Sequence, residues 1–191
     1  MTGRTHDLAA ITALGIVVLA QPPRTVTLAT ALVVVFANLV GGVTPDIDQP
    51  TAPLWRNLPI GKYFGRMFGL LNGGHRFLTH SIVGLVLFGF AAHWFLVLIH
   101  PIMSQVDIDL VWWAFMIGMF SHLVMDTLTK EGVPWLLPFP FKFGFPPLKR
   151  MRLTTGKLGE KAVLFPLLIV FNAALYFANY DKVLAILHSI D

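Results

Sequence analysis

Five long runs of apolar residues divide the chain and decide most of what it can fold into. They cover Leu8 to Ala20, Val26 to Val43, Ile82 to Ile99, Leu110 to Leu128 and Ala162 to Tyr180, and each is almost free of charge. Four of them hold 18 or 19 residues. A helix rising ~1.5 Å per residue needs about 20 residues to cross a hydrocarbon core of ~30 Å. Backbone N–H and C=O groups find no water there, so a helix that satisfies its own is the natural spanning unit. The chain therefore reads as all-α, a polytopic membrane helical bundle of about five spans, in a single domain over residues 1–191. The first run has only 13 residues and predicts a short or half-buried span. Hydrophobic residues make up 55% of the chain and charged ones 13%, which excludes an ordinary soluble domain. Arg4 ahead of a run ending Val18-Leu19-Ala20 imitates a secretory signal, but the segment is read here as a retained first span.

With no cysteine, the chain has neither a disulfide framework nor a thiolate metal site. If the five runs cross in alternation, 12 of the 14 basic residues share one side: Arg4, the loop carrying Arg56, Lys62, Arg66 and Arg76, and the stretch from Lys130 to Lys161. The positive-inside rule makes that side cytoplasmic, with the N-terminus inside and the C-terminus outside. The net charge of +4 thus reflects topology, and no direct nucleic-acid partner is expected. Two loops on this side look interfacial. One, residues 49–74, sets Trp55, Phe64 and Phe68 among its cations, and the other, residues 132–147, is rich in proline and phenylalanine.

The same alternation gathers the chemistry. His6 starts the first span, Asp46 and Asp48 end the second, His75 and His80 start the third, His122 and Asp126 end the fourth, and Glu160 starts the last. All eight fall on the predicted cytoplasmic side. Such groups at membrane-helix ends are costly unless paired, hydrated or bound to metal, which makes their cluster a candidate site. His122 and Asp126, four residues apart, share a helix face. Taken singly, each has a bland reading: His122 as a satisfied core histidine, Asp126 as a cap, Asp46-Ile47-Asp48 as a polar loop, Glu160 as a first-turn acid favoured by the helix dipole. Their common sidedness favours a metal centre.

A donor set of imidazoles and carboxylates without sulfur suits a divalent metal, one or two ions, with zinc or manganese foremost and Fe²⁺ also possible. One of Asp48, Asp126 or Glu160 would serve as the base for a metal-activated water, and the planar fork of Arg76 would hold a phosphate or carboxylate. His93, His100 and His188 lie towards the other side and receive no role.

These motifs resemble a family of small bacterial and archaeal inner-membrane proteins known as membrane-bound metal-dependent hydrolases, some described as LexA-binding. The likeness is carried by His6, by Pro45-Asp46-Ile47-Asp48, by His75-Arg76-Phe77-Leu78-Thr79-His80-Ser81, by Ser121-His122 with Asp126-Thr127-Leu128-Thr129 and Gly132-Val133, and by Thr155-Gly156 with Glu160. It runs through nearly the whole chain in order. Gln49 stands where the family usually has a histidine, and Phe77 where glycine is common. The resemblance implies a multi-spanning helical fold, a metal and hydrolase activity. The expected function is metal-dependent hydrolysis at the cytoplasmic face of the inner membrane, on an ester or phosphoester of a lipid or amphiphile. The alternative is a non-catalytic protein whose structural metal ties the helix ends while basic loops meet a regulatory protein partner or anionic lipid. A transporter is disfavoured because the donors sit at one face instead of the midplane. The oligomeric state is left open.

Overall fold

The computed structural model describes residues 1–23, 25–49, 55, 59, 61, 63, 65–67, 76–139 and 141–190. Among the described residues, five helices are long and apolar enough to cross a membrane: Gly3–Ala20, Leu28–Asp48, Ile82–Ile102, Ile108–Thr127 and Gly159–Ala178. Their regular α-helical parts are α1 (Gly3–Ala20), α2 (Leu28–Val43), α3 (Ile82–Ile99), α4 (Ile108–Thr127) and α5 (Phe165–Ala178), followed by a short α6 (Tyr180–His188). Among the described residues there is no strand, only isolated bridges. Large side chains such as Phe36, Trp94, Leu98 and Phe177 are exposed along the helices. That arrangement suits hydrocarbon outside the bundle and would be an aggregation hazard in water.

The first helix departs from the sequence reading. It starts at Gly3 and has 18 residues, because the five residues from Gly3 to Asp7 join it. Thr5 and His6 are buried against other helices, where an apolar count along the chain does not register them. Three starts have side-chain caps as expected of Thr, Ser and Asp. Thr27 accepts from Thr30 N, Ser81 from Gly84 N, and Asp107 from Asp109 N and Leu110 N.

The centre of the bundle is the α2–α4 pair, which approaches backbone to backbone. A Cβ at Gly41 would stand 2.0 Å from Phe115 O, and one at Gly118 2.0 Å from Asn38 O. Only glycine permits that closeness, the usual device by which membrane helices pack without a hydrophobic drive between them. Asn38 Nδ2 then donates to Ala114 O at 3.0 Å. Helix α1 packs on both partners, with Ala10 Cβ 3.1 Å from the Cβ position of Gly42. Trp112 Nε1 donates to Gly89 O and joins α4 to α3 (2.8 Å), and Asn172 Nδ2 donates to Thr12 Oγ1 and joins α5 to α1 (2.6 Å). A π-helical turn, Gly159–Leu164, leads into α5, whose Pro166 sits in the first turn and tolerates the missing N–H there.

The described residues of the 132–147 loop are irregular, as its prolines predict. Trp135 Nε1 donates to Thr127 Oγ1 (2.9 Å), Phe145 N to Thr127 O (2.8 Å) and Ile82 N to Trp135 O (3.0 Å), which fastens it to the ends of α4 and α3. Phe139, Phe141, Phe143 and Phe145 are left exposed. The expectation for the 49–74 loop falls largely on residues outside the described ones, as does His75.

Candidate metal centre

At the end of the bundle where α1 and α3 begin and α2 and α4 finish, four helices deliver polar groups into one buried cluster. His6, in the first turn of α1, stacks on His122 of α4 with ring centroids 3.6 Å apart and planes within 8°. His80, just before α3, meets His122 edge-on at 5.3 Å. Asp126, one turn beyond His122, reaches all three. Its Oδ1 is 3.3 Å from His6 Nε2, and its Oδ2 is 3.6 Å from His80 Nε2 and 3.8 Å from His122 Nε2. Asp46, in the 3₁₀ turn that ends α2, brings Oδ1 to 3.8 Å from His80 Nε2 and 3.7 Å from His122 Nε2. His6, His80, His122 and Asp126 are fully buried, while Asp46 keeps 21% exposure.

Neighbouring groups decide which ring nitrogen each imidazole presents. His122 Nδ1 lies 2.6 Å from Gly42 O. A carbonyl only accepts, so Nδ1 carries the proton and Nε2 keeps its lone pair. That contact exists because Gly41 and Gly118 let α4 lie directly on the end of α2. His80 Nδ1 is 2.9 Å from Thr79 Oγ1, whose single proton goes to Asp48 Oδ2 at 2.7 Å. Thr79 therefore accepts from Nδ1–H, and Nε2 of His80 also faces the cluster as a lone pair. Orientation of a ligating imidazole by a bond to its other nitrogen is the usual arrangement at metal sites. Burial holds the His80 imidazole below its ordinary pKa, against the pull of Asp126, Asp48 and Asp46, and so favours the neutral form that binds cations.

Among the described residues, two groups of side chains have the proximity for a metal ion: His6 with His122 and Asp126, and Asp46 with His80 and His122. Donors held about 2.0–2.2 Å from one tetrahedral zinc stand about 3.3–3.6 Å from each other. Of the four N···O separations around His80 and His122, one (3.6 Å) lies at the upper edge of that range and the other three (3.7–3.8 Å) exceed it only slightly. Both nitrogens of His6 and Nε2 of His122 are buried without a hydrogen-bond partner among the described residues. Such orphaned atoms are costly in an apolar interior and fit a site whose donors await a cation.

The other predicted residues surround this cluster. Asp48 Oδ2 accepts from Arg76 N (3.0 Å) and Thr79 Oγ1, so it supports the donors from behind. Arg76, at φ +58°, turns its guanidinium inward: Nη2 pairs with Asp126 Oδ2, and Nη1 donates to Thr129 Oγ1 at 3.0 Å and faces Glu131 Oε2 at 3.4 Å. The Met1 amine also meets Asp126, at Oδ1, 2.6 Å away. Three carboxylates against these two cations leave negative charge for a metal to neutralise. Glu160 lies outside both metal-capable groups. Its Oε1 accepts from Thr2 N (2.7 Å), Thr2 Oγ1 (2.8 Å) and Thr5 Oγ1 (2.7 Å), and its Oε2 from Gly156 N (2.7 Å). The geometry thus makes it a clasp between the start of α5 and the α1 turn that carries His6.

A profile of the YdjM inner membrane proteins matches residues 1–184. The chain belongs to the YdjM inner membrane protein family. The protein named YvsG in Bacillus subtilis strain 168, "Uncharacterized protein YvsG", is 27% identical over 165 residues, 86% of this chain and 88% of its own. The inner membrane proteins YdjM of Escherichia coli K12 and of Shigella flexneri are each 34% identical over 103 residues, 53% of this chain and 47% of theirs. The match thus spans about half the length of these two YdjM proteins. No solved structure matches the chain. Family and helices together assign this YdjM-family chain to the inner membrane.

Sequence reasoning singled out His6, Asp46, His80, His122 and Asp126, and the structure brings these together. It did not single out Thr79 or Gly42, on which the imidazole orientations rest. Thr79 had a signal, lying beside His80 in the quoted motif, whereas a backbone carbonyl such as Gly42 O leaves none.

Proposed function

We propose that the chain is a membrane-bound metal-dependent hydrolase that cleaves an ester or phosphoester of a lipid or amphiphile. The observation that carries this is the convergence of buried, lone-pair-bearing imidazoles and carboxylates from four helix ends. His6, Asp46, His80, His122 and Asp126 would hold one or two divalent ions, zinc or manganese by the donor set. A bound ion would supply Lewis acidity and a more acidic water. Asp46, the most accessible carboxylate of the cluster, would face the ion through Oδ1 and use its other oxygen to accept the proton of the attacking water and return it to the leaving alcohol oxygen as the ester or phosphoester bond breaks. Arg76, buried with its guanidinium on Asp126, Thr129 and Glu131, holds Asp126 in place within the cluster. Thr79 and Asp48 keep His80 in its binding tautomer. The distribution of basic residues supports a cytoplasmic orientation of this face. A headgroup-depth position beside the exposed phenylalanine loop supports an amphiphile over a soluble macromolecule as substrate.

A second reading draws on the depth of the cluster: a buried ion could simply tie helix ends while the basic loops hold a regulatory partner such as LexA. Elemental mass spectrometry on detergent-purified wild type and His122→Ala, with turnover of fluorogenic amphiphilic esters and phosphodiesters, separates the two. Metal and turnover in wild type, both lost in the variant, support the hydrolase. Metal without turnover of any ester supports the structural reading. Absence of metal after loading with Zn²⁺ and Mn²⁺ removes both.

A further inference from the structure

Opposite the metal centre, the bundle carries a second feature, a cleft partly open to its surroundings, that the hydrolase reading does not use. A cavity of about 710 Å³ lies between the last turns of α1, the start of α2, the start of α4 and the short α6. Its size falls in the range of about 300–1,000 Å³ typical of ligand sites. Ile11 and Leu19 line it from α1, Val34 from α2, and Trp113 and Ile117 from α4. Val183, Ile186, Leu187 and Ile190 line it from α6 and the residues that follow, at the i, i+3, i+4, i+7 positions of one helical stripe. This short amphipathic element therefore turns its apolar stripe to an open space instead of to packed side chains.

We propose that this cavity holds one acyl chain of a membrane phospholipid whose phosphate meets Lys182. Three observations support it. The lining residues are almost all apolar and offer water few hydrogen-bond partners, so hydrocarbon is the occupant they accept. Between Ile11 and Gln21 the wall spans ten residue steps of α1, about 15 Å. That is half of a ~30 Å core, the depth of one leaflet and hence of one lipid chain. At the mouth, exposed Lys182 leans its Nζ over Leu19 O at 3.5 Å, beside the lining residues Leu19 and Val183. Asp107, Asp109 and Asp181 lie at the same face, so net charge does not select an anionic headgroup. The phosphate common to phospholipids is what Lys182 is placed to meet.

The test is native mass spectrometry of the delipidated full chain in detergent, incubated with palmitoyl-oleoyl phosphatidylethanolamine or with palmitic acid. Wild type is expected to retain one phospholipid per chain. Ala31→Phe and Ile186→Trp, which fill the cavity from different walls, are expected to lose it at least tenfold. Lys182→Ala is expected to weaken retention about twofold to fivefold, the scale of an exposed charge contact. Circular dichroism and the thermal midpoint identify a variant that fails to fold, and the other filling variant then decides. Equal retention in wild type and a folded filled variant, or no retention in wild type, overturns the proposal. Palmitic acid displacing the phospholipid at equal concentration overturns the identity of the occupant. None of these outcomes depends on the metal centre.

Discussion

Replacing Thr79 by valine tests the orientation argument at the metal centre with little change in shape. The hydroxyl links His80 Nδ1 at 2.9 Å and Asp48 Oδ2 at 2.7 Å. Valine removes both bonds and keeps the branched volume at a fully buried position. His80 then loses the partner that fixes its Nδ1–H tautomer and ring angle, and Asp48 Oδ2 retains only the Arg76 N–H from the pair of donors described above. Loss of such a supporting bond behind a ligating histidine costs about 10–100-fold in metal affinity, or about 1.4–2.7 kcal/mol. Thr79→Ser keeps the hydroxyl and should stay within about threefold of wild type, since it alters no bond of this chain. Competition of the purified protein with a chromophoric chelator for Zn²⁺ or Mn²⁺ gives the affinities. The reasoning is refuted if Thr79→Val binds as tightly as wild type, or if Thr79→Ser is weakened as much as Thr79→Val.

His122→Ala should abolish stoichiometric metal, because Nε2 of this residue belongs to both metal-capable groups; elemental analysis reads it directly. Glu160→Gln should leave metal stoichiometry intact while lowering the thermal midpoint, since an amide cannot accept all four bonds that the carboxylate accepts, a loss of about 1–3 kcal/mol for donors left buried. Retained midpoint with lost metal would instead make Glu160 a ligand. Gly118→Leu should separate α4 from α2, since even a Cβ would stand 2.0 Å from Asn38 O; the expected result is metal loss together with a lower midpoint, and a variant that binds metal normally would contradict the close-packing account.

The spans were legible because hydrocarbon imposes a length and a composition on any helix that crosses it. Four predicted runs fall within two residues of α2, α3 and α4 at their starts, or at the start of the last span within three. The first was read five residues short, since Thr5, His6 and Asp7 look like a polar leader until one knows that other helices, not lipid, surround Thr5 and His6. Convergence of the donors followed from alternation alone: polar residues at the first, second, third and fourth span ends must share a face if every span crosses. The α6 stripe was not read at all, because nine residues are too few for a spanning signal.

What alternation could not supply is the aim of each donor. His122 and Asp126 share a helix face by spacing, yet spacing does not say which ring nitrogen points inward; Gly42 O settles that at 2.6 Å, and it is reachable only because two glycines remove the Cβ atoms between α2 and α4. Glu160 shows the converse. Its position at a helix start on the predicted face fitted a ligand, but Thr2, Thr5 and Gly156 surround it with donors and it lies outside both metal-capable groups of the described residues. The clasp matters to the centre nonetheless, since Thr5 is the residue before His6 and both ride on one turn of α1. Membership of the face was thus a property of topology, whereas membership of the donor set depends on which neighbours already occupy each oxygen and nitrogen, and those neighbours are often backbone atoms common to every residue type.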